Sequence, residues 1–319
     1  MSTKFSMTLR SSVKVLQSKF PTPNYAIHTF VAICQQNHMK THQADIMARG
    51  LPKRKKIDGV KHILLVASGK GGVGKSTTAV NIAVSLKNED PSKQVGLLDA
   101  DVFGPSIPLM MNLDDSPLLT KENLMVPLQN YGVKCMSMGF LVNKDSPVIW
   151  RGLMVMQALD RLLRQVSWDP VDYLVIDTPP GTGDTHLSLI QNVPISGALL
   201  VTTPQTAALQ VTQRGANMFK KLDIPVLGII QNMTSVECPK CQNEVRLHSK
   251  AANLLLENLG VPVLADIPLD NDISQGSDNG IPVVVASQES PQAKSYKAVA
   301  QKIIKYLNDK ENDPVTNKL

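Results

Sequence analysis

The chain has 319 residues, of which 43% are hydrophobic and 19% are charged, so it is long enough for one large α/β domain with short appendages. No stretch approaches the roughly 18 consecutive apolar residues of a membrane-spanning helix, which argues against a transmembrane segment. Four cysteines in a chain of this length do not make a disulfide-stapled scaffold, and this favours a reducing compartment.

The basic character of the chain is concentrated at its N-terminus. Residues 1–44 contain no aspartate or glutamate, and their basic side chains account for most of the formal net charge of +6. Apolar residues at helical spacing lie near one face of this segment: Leu9, Val13, Leu16 and Phe20. Such a leader is typical of a mitochondrial transit peptide, so we predict that residues 1–44 direct the protein to the mitochondrial matrix and are then removed. A polar tail without a targeting role is the alternative.

A basic linker is predicted over residues 45–61, because Lys53-Arg54-Lys55-Lys56 comes just after the leader. A run of this kind can also bind nucleic acid or act as a nuclear signal. The rest of the chain is nearly neutral, however, so we favour a solvated linker and expect no nucleic-acid partner.

Apolar runs then alternate with helical patterns along residues 62–308, the predicted folded domain. The predicted strands cover residues 62–68, 94–99, 133–138, 171–177, 197–202, 226–232 and 261–265, and the predicted helices cover residues 76–87, 154–165, 207–220, 247–258 and 292–308. This alternation predicts an α/β fold with a mostly parallel, twisted sheet and helices on both faces. Residues 113–144 are interpreted as an irregular insertion with a hairpin, and residues 309–319 as a polar tail.

A glycine-rich loop stands between the first predicted strand and the first predicted helix. Its residues are Gly69, Lys70, Gly71, Gly72, Val73, Gly74, Lys75, Ser76 and Thr77, which fit the pattern G-x-x-x-x-G-K-[ST] with a second lysine inside the loop. Glycines allow backbone N–H groups to face phosphate oxygens, and the helix N-terminus adds its positive dipole end. We therefore expect ATP at this loop, with Lys75 on the terminal phosphates and Ser76 on Mg²⁺.

Polar residues end the strands that would lie beside this loop. Asp99 and Asp101 follow the second strand, and one of them could position the attacking water or hold the Mg²⁺ shell. Asp177 ends an apolar strand and fits a Walker B role, and the N–H of Gly181 is expected to be free to sense the γ-phosphate. Asn232 ends a later strand, where its amide offers a donor and an acceptor to an adenine ring.

Cys238-Pro239-Lys240-Cys241 is the second motif that indicates chemistry, because C-x-x-C spacing lets two thiolates reach one metal or cluster. A closed zinc or [4Fe–4S] site needs four ligands, and the chain contains no second pair with this spacing. Two subunits related by a two-fold axis could complete the set with two thiolates each. A thioredoxin-like redox pair and a pair of unligated thiols are the alternatives. His248 is interpreted as a residue of a solvated helix face.

These motifs together resemble a known family. The glycine-rich loop looks like the deviant Walker A sequence of the MinD/ParA/nitrogenase-iron-protein class of P-loop ATPases. Further segments are similar to the Mrp-type branch of that class: residues 99–108, residues 177–184, Gln231-Asn232-Met233 before the cysteine pair, and Ile267-Pro268-Leu269-Asp270 before Gly276-Ser277-Asp278. With the leader and residues 48–52, the chain is most similar to the mitochondrial NUBPL or Ind type, which serves iron–sulfur assembly of respiratory complex I. The resemblance covers residues 48–306.

The resemblance implies a homodimer that carries a labile [4Fe–4S] cluster bridged by Cys238 and Cys241 of both subunits. It also implies that Lys70 reaches the partner's nucleotide, and that Asp101 matches the water-positioning acid better than Asp99 does. The cofactors would be ATP, Mg²⁺ and the cluster, and a weak ATPase activity would be coupled to cluster transfer. The clients would be complex I subunits or other iron–sulfur proteins, with at most a peripheral contact to the inner membrane.

Two other functions compete with this one. A ParA/MinD-like switch that positions a protein cargo would use a basic surface or a basic amphipathic C-terminal helix, and it would give the cysteine pair no role. An ATP-dependent electron donor would need a tightly held cluster. Residues 242–246 depart from the pattern of the Mrp-type branch, which concerns the surroundings of a cluster and leaves its two cysteines intact.

Overall fold

An eight-stranded sheet forms the centre of the part of the chain that the structure describes. The computed structural model describes residues 54–142, 152–181, 183–238, 240–247 and 260–312, and the predicted transit peptide lies outside them. The strands are β1 (Val60–Ser68), β2 (Val95–Asp99), β3 (Leu128–Asn130), β4 (Val133–Ser137), β5 (Val171–Asp177), β6 (Gly197–Thr202), β7 (Val226–Asn232), β8 (Ser235–Glu237), β9 (Glu244–Arg246) and β10 (Val263–Ile267). The helices are α1 (Lys75–Glu89), α2 (Ile107–Met110), α3 (Gly152–Arg164), α4 (Asp184–Asn192), α5 (Thr206–Lys221), α6 (Asn271–Asp278), α7 (Val283–Ala286) and α8 (Pro291–Asn312).

The sheet order is β10-β7-β6-β1-β5-β2-β4-β3, and the neighbouring pairs are parallel except for β3 with β4. Strands β3 and β4 form the hairpin expected within residues 113–144. Strands β8 and β9 form a separate antiparallel hairpin. The predicted α/β fold with a mostly parallel sheet is confirmed.

Helices cover the sheet on both faces because the chain winds in two directions from β1. The crossover from β1 through α1 to β2 runs toward one edge, whereas the crossovers through α4 and α5 run toward the other. Right-handed crossovers that run in opposite directions place their helices on opposite faces. Helix α8 packs on α1, and α3 packs on α4, which completes the two layers. The central strands are therefore continuous apolar runs, and β2 and β6 are buried at every position.

The folded part extends beyond both of its predicted boundaries. Strand β1 begins at Val60, and Ile57 is 4% exposed, so residues 54–61 are not a free linker. The guanidinium of Arg164 donates hydrogen bonds to the carbonyls of Lys55 and Lys56 and holds this segment on the domain. At the other end α8 continues to Asn312, because Glu311 pairs with Lys61 and His62 of β1.

The sequence missed four helices: α2, α4, α6 and α7. Each has nine residues or fewer, which is shorter than the window of roughly 11 residues over which apolar periodicity identifies a helix. Nearly all of the predicted helix 247–258 lies outside the described residues. Among the residues that are described, no helix is both long and apolar enough to cross a membrane.

Candidate nucleotide site and cysteine hairpin

The glycine-rich loop joins β1 to α1 at the carboxyl edge of the sheet, where ligands bind in open α/β folds. Gly72 and Gly74 have φ angles of 75° and 83°, a left-handed conformation that favours glycine. A methyl group added at Gly71 or Gly72 would meet no atom of the described residues within 4 Å, so they leave the space in front of the loop open. The first turn of α1 contains no acidic residue. The loop therefore fits a phosphate group.

Lys75, Ser76 and Asp177 form a bonded cluster beneath the loop. The Lys75 Nζ lies 2.5 Å from Asp177 Oδ1, and the Ser76 hydroxyl donates to Asp177 Oδ2 at 2.5 Å. Asp177 is fully buried, and burial raises its pKa, while Lys75 and Ser76 oppose that rise by stabilising the carboxylate. Hydroxyl and carboxylate oxygens are ligands that Mg²⁺ prefers. Lys75 would have to exchange Asp177 for a phosphate when nucleotide binds.

Asp99 and Asp101 have different surroundings. Asp99 is 1% exposed, and its carboxylate accepts hydrogen bonds from the Ser137 hydroxyl and from the N–H groups of Asp101 and Ile107. Burial, and secondarily the charge of Asp177, raise the pKa of Asp99 to about 7. Asp101 is half-exposed at the same edge. The geometry therefore makes Asp99 the anchor of the loop that carries Asp101, and Asp101 stays the candidate for positioning water.

The Gly181 N–H and the Lys70 side chain both contact neighbouring residues. The Gly181 N–H is not free, because it donates to the Ser68 carbonyl at 2.9 Å, so the expectation of a free N–H was wrong for this state. Lys70 is exposed, and its Nζ lies 3.5 Å from Gln205 Oε1 at the start of α5. Gly69 is pressed against α5, since an added Cβ would lie 2.8 Å from the backbone of Val211.

The remaining loop residues are fixed by the domain behind them. Val73 is buried, and its carbonyl accepts a hydrogen bond of 2.9 Å from the Asn232 amide. The Thr77 carbonyl accepts one of 2.8 Å from Asn81 within α1. Asn232 therefore contacts the glycine-rich loop through its Nδ2. Its proposed contact with adenine stays a prediction.

The cysteine pair lies on the hairpin of β8 and β9, away from the sheet interior. Cys238 is half-buried and Cys241 is exposed, and both thiols are free. Backbone N–H groups of Cys241 and Lys240 lower the pKa of Cys238 and so favour the thiolate that metals bind. The turn is closed by the Cys238 N–H on the Asn243 carbonyl and the Gln242 N–H on the Cys238 carbonyl. Across the described ranges, no group of three or more His, Cys, Asp and Glu side chains could hold a metal ion.

A family model decides the classification of this chain. The model, described as ParA: NUBPL iron-transfer P-loop NTPase, matches residues 59–304. The chain belongs to this family. The match includes the glycine-rich loop, the carboxylates at the sheet edge and the cysteine hairpin.

Curated relatives of this NUBPL-family chain have names that concern iron–sulfur clusters. The mouse protein named iron-sulfur cluster transfer protein NUBPL is 54% identical over 270 residues, which are 84% of this chain and 85% of that protein. The Arabidopsis thaliana iron-sulfur protein required for NADH dehydrogenase, mitochondrial, is 47% identical over 84% of this chain and 85% of its own length. The Aquifex aeolicus iron-sulfur cluster carrier protein is 42% identical over 81% of this chain and 71% of its own length.

Solved structures agree with the NUBPL-family fold. A nucleotide-binding protein from Archaeoglobus fulgidus in complex with ADP is 34% identical, with a TM-score of 0.63 over 75% of this chain and 93% of that chain. The cell division ATPase MinD from Pyrococcus furiosus is 26% identical, with a TM-score of 0.58 over 76% of this chain and 98% of that chain. The predicted MinD/ParA fold class is confirmed.

His186 of this NUBPL-family chain is a buried residue that was not among the predicted site residues. It lies in α4, directly after the loop that follows Asp177, and it is 2% exposed. Its Nδ1 lies 3.4 Å from the Pro179 carbonyl, its Nε2 has no hydrogen-bond partner among the described residues, and its ring meets Phe219 edge-on. Burial, and secondarily the nearby Lys75 charge, lower its pKa to about 4. A signal existed in the sequence, because His186 precedes Leu189, Ile190 and Val193 at helical spacing.

Acid pH is expected to destabilise the domain through His186. The unfolded chain binds a proton on this side chain below its usual pKa of 6.5, whereas the folded chain resists until about pH 4. The free energy of unfolding should therefore fall between pH 6.5 and pH 4, by about 3 kcal/mol in total. His186→Phe keeps an aromatic ring against Phe219 and removes the titration, so denaturant unfolding of this variant should show a smaller loss over that window.

The free energy of unfolding of the wild type is compared with that of His186→Phe at each pH. Asp99 acts in the opposite direction, because its raised pKa stabilises the fold at low pH and that contribution is lost as pH rises toward 7. Asp99 is present in both proteins, so its effect cancels in the difference. A wild-type minus variant difference that was equal at pH 4.5 and pH 7 would contradict the role given to His186.

Proposed function

We propose that this protein binds ATP and carries a [4Fe–4S] cluster as cargo to client proteins in the mitochondrial matrix, among them subunits of respiratory complex I. The exposed C-x-x-C hairpin on a P-loop fold is the observation that carries the proposal. A cluster that must leave the protein needs thiolates near the surface, and Cys241 is exposed. The names of the mouse and Arabidopsis relatives support the cargo and the client class.

A homodimer follows from the number of ligands. A [4Fe–4S] cluster takes four thiolates. Each chain offers Cys238 and Cys241 on one hairpin, and Cys135 is fully buried within β4. A second copy related by a two-fold axis would supply the two missing ligands. In the same dimer Lys70, which is exposed here, would reach the nucleotide of the partner subunit.

Nucleotide turnover is proposed to be slow and coupled to cluster transfer. Lys75, Ser76 and Asp177 are already bonded to each other, so binding ATP with Mg²⁺ must rearrange the cluster. Asp101 would position the attacking water while Asp99 anchors its loop. A MinD-like positioning switch and an ATP-dependent electron donor are disfavoured, because the first leaves the cysteine pair unused and the second needs a tightly held cluster, whereas Cys241 is exposed.

The test is transfer from the reconstituted protein to an apo-client under anaerobic conditions. Loaded protein is mixed with an apo iron–sulfur subunit of complex I and ATP, in the presence of an iron chelator, and the visible spectrum of the re-isolated client is recorded. Direct transfer should continue in the chelator, whereas free iron and sulfide at the same concentrations should fail. An apo-dehydratase serves as the second client, and equal transfer to both would indicate a general carrier. A cluster that stays on the protein, or that reaches no client in the chelator, would contradict the proposal.

A further inference from the structure

Asn232 braces the nucleotide loop from behind. It ends β7, is 7% exposed, and its Nδ2 donates to the Val73 carbonyl at 2.9 Å. The same Nδ2 would lie 2.1 Å from a Cβ at Gly74, so the amide fills the space that a side chain there would need. A displacement of the loop at Val73 or Gly74 therefore has to move Asn232, because close-packed interiors transmit strain.

Asn232 also lies directly before the cysteine hairpin in the chain. Only Met233 and Thr234 separate Asn232 from β8, and Cys238 follows directly after that strand. Both the N–H and the hydroxyl of Thr234 donate to the Ile267 carbonyl, at 3.1 and 3.2 Å. The Thr234 carbonyl accepts a hydrogen bond from the N–H of Leu247, which directly follows β9. The hairpin is thus attached to the ends of β7 and β10 and not suspended on a flexible tether.

The connection between Asn232 and the hairpin is also conformationally restricted. Met233 has a φ angle of 58°, a left-handed conformation that costs free energy for a residue with a side chain. Such a conformation persists where its surroundings hold it in place. Because Met233 is held in this conformation, a movement of Asn232 is transmitted to the hairpin. A glycine at position 233 would accommodate the movement by changing its own backbone angles.

We propose that Asn232 is a positioning residue that couples the nucleotide loop to the cysteine hairpin, so that phosphate bound in front of Val73 changes the exposure of Cys238 and Cys241. The coupling is a property of the chain itself and does not require a cluster to be bound. Its role in cluster release rests on the function proposed above. In the protein without cluster, the coupling predicts that bound nucleotide changes the reactivity of the Cys238 and Cys241 thiols.

The experiment measures alkylation of Cys238 and Cys241 in the full-length protein without cluster. Iodoacetamide labelling rates are followed by peptide mass spectrometry, with and without saturating Mg²⁺ and a non-hydrolysable ATP analogue. A coupling of ordinary size should change the wild-type rate about fivefold or more. Asn232→Ala removes the bond to Val73 and is expected to bring the ratio within about twofold.

Asn81→Ala is the matched control. Asn81 is also a buried asparagine that donates to a carbonyl of the loop, at its last residue Thr77. Its Oδ1 accepts from the N–H of Val284 in α7, and within the described part of the chain these bonds do not lead to the hairpin. It should lose stability to a similar extent and keep the wild-type ratio. Met233→Gly, which leaves the loop contact intact, should reduce the ratio as Asn232→Ala does.

The affinity for nucleotide after alkylation of the cysteines is a second measurement of the coupling. If nucleotide changes the hairpin, alkylation of both cysteines should in turn change the affinity for nucleotide. That change should be present in the wild type and in Asn81→Ala, and absent in Met233→Gly. A wild-type ratio that survives both Asn232→Ala and Met233→Gly would overturn the proposal, as would a wild type with no nucleotide effect. A protein that shows the ratio but binds no cluster would refute the proposed function and leave the coupling standing.

Discussion

Cys238→Ser is expected to reduce the iron held by the reconstituted protein from about four atoms per two chains to nearly none, and Cys241→Ser should do the same. The reason is that each hairpin contributes only these two thiolates, and a four-ligand cluster that loses one ligand from each subunit retains two. Iron analysis and the visible spectrum of anaerobically reconstituted protein give the measurement. Denaturant unfolding of the same variants should show little change in stability, because Cys238 is half-buried and Cys241 is exposed.

Cys135→Ser is the control for this loss. Cys135 is fully buried in β4, and burial raises the pKa of its thiol well above the usual range, so it is not available as a thiolate ligand. Iron content should stay at the wild-type level in this variant. Full iron loading in both single variants of the hairpin, or loss of iron in Cys135→Ser with the fold intact, would refute the shared-cluster site.

Lys75→Met is expected to weaken ATP binding on the order of a hundredfold, because it removes the only buried lysine of the glycine-rich loop. Methionine keeps most of the side-chain volume and removes the charge. Asp177 then loses its cation, and since burial already raises its pKa, it should take up a proton and limit the loss of stability. Equilibrium titration with a fluorescent ATP analogue measures the affinity, and denaturant unfolding checks the fold.

Lys70→Ala separates the two lysines of the loop. Lys70 is exposed, and its Nζ contact to Gln205 is long, at 3.5 Å. This variant should bind a single nucleotide nearly as the wild type does, while the nucleotide-dependent dimer and the rate of hydrolysis decline. Wild-type hydrolysis and dimerisation in Lys70→Ala would show that the second lysine does not act across the dimer. Equal loss of mononucleotide affinity in both variants would show that the two lysines act on the same phosphate.

The sequence by itself determined the fold class, the phosphate loop and the cysteine pair. Each is written in local spacing: apolar runs that alternate with helical patterns, a glycine loop between a strand and a helix, and two cysteines three positions apart. It also placed Asp99, Asp177 and Asn232 at strand ends. Because parallel strands meet the same edge of a sheet with their carboxyl ends, that placement was enough to predict that they lie close together.

The contacts between those residues depended on the tertiary structure. Lys75 and Asp177 are bonded across 102 positions of sequence, and Asn232 and Val73 across 159. Local spacing carries no information on which side chain fills which space at the sheet edge, so it could not assign Asn232 to the loop or show that Gly181 is already bonded to Ser68. The pKa values of Asp99 and His186 also depend on the tertiary structure: burial is the main cause of both shifts, the charges of Asp177 and Lys75 add to them, and the two shifts run in opposite directions.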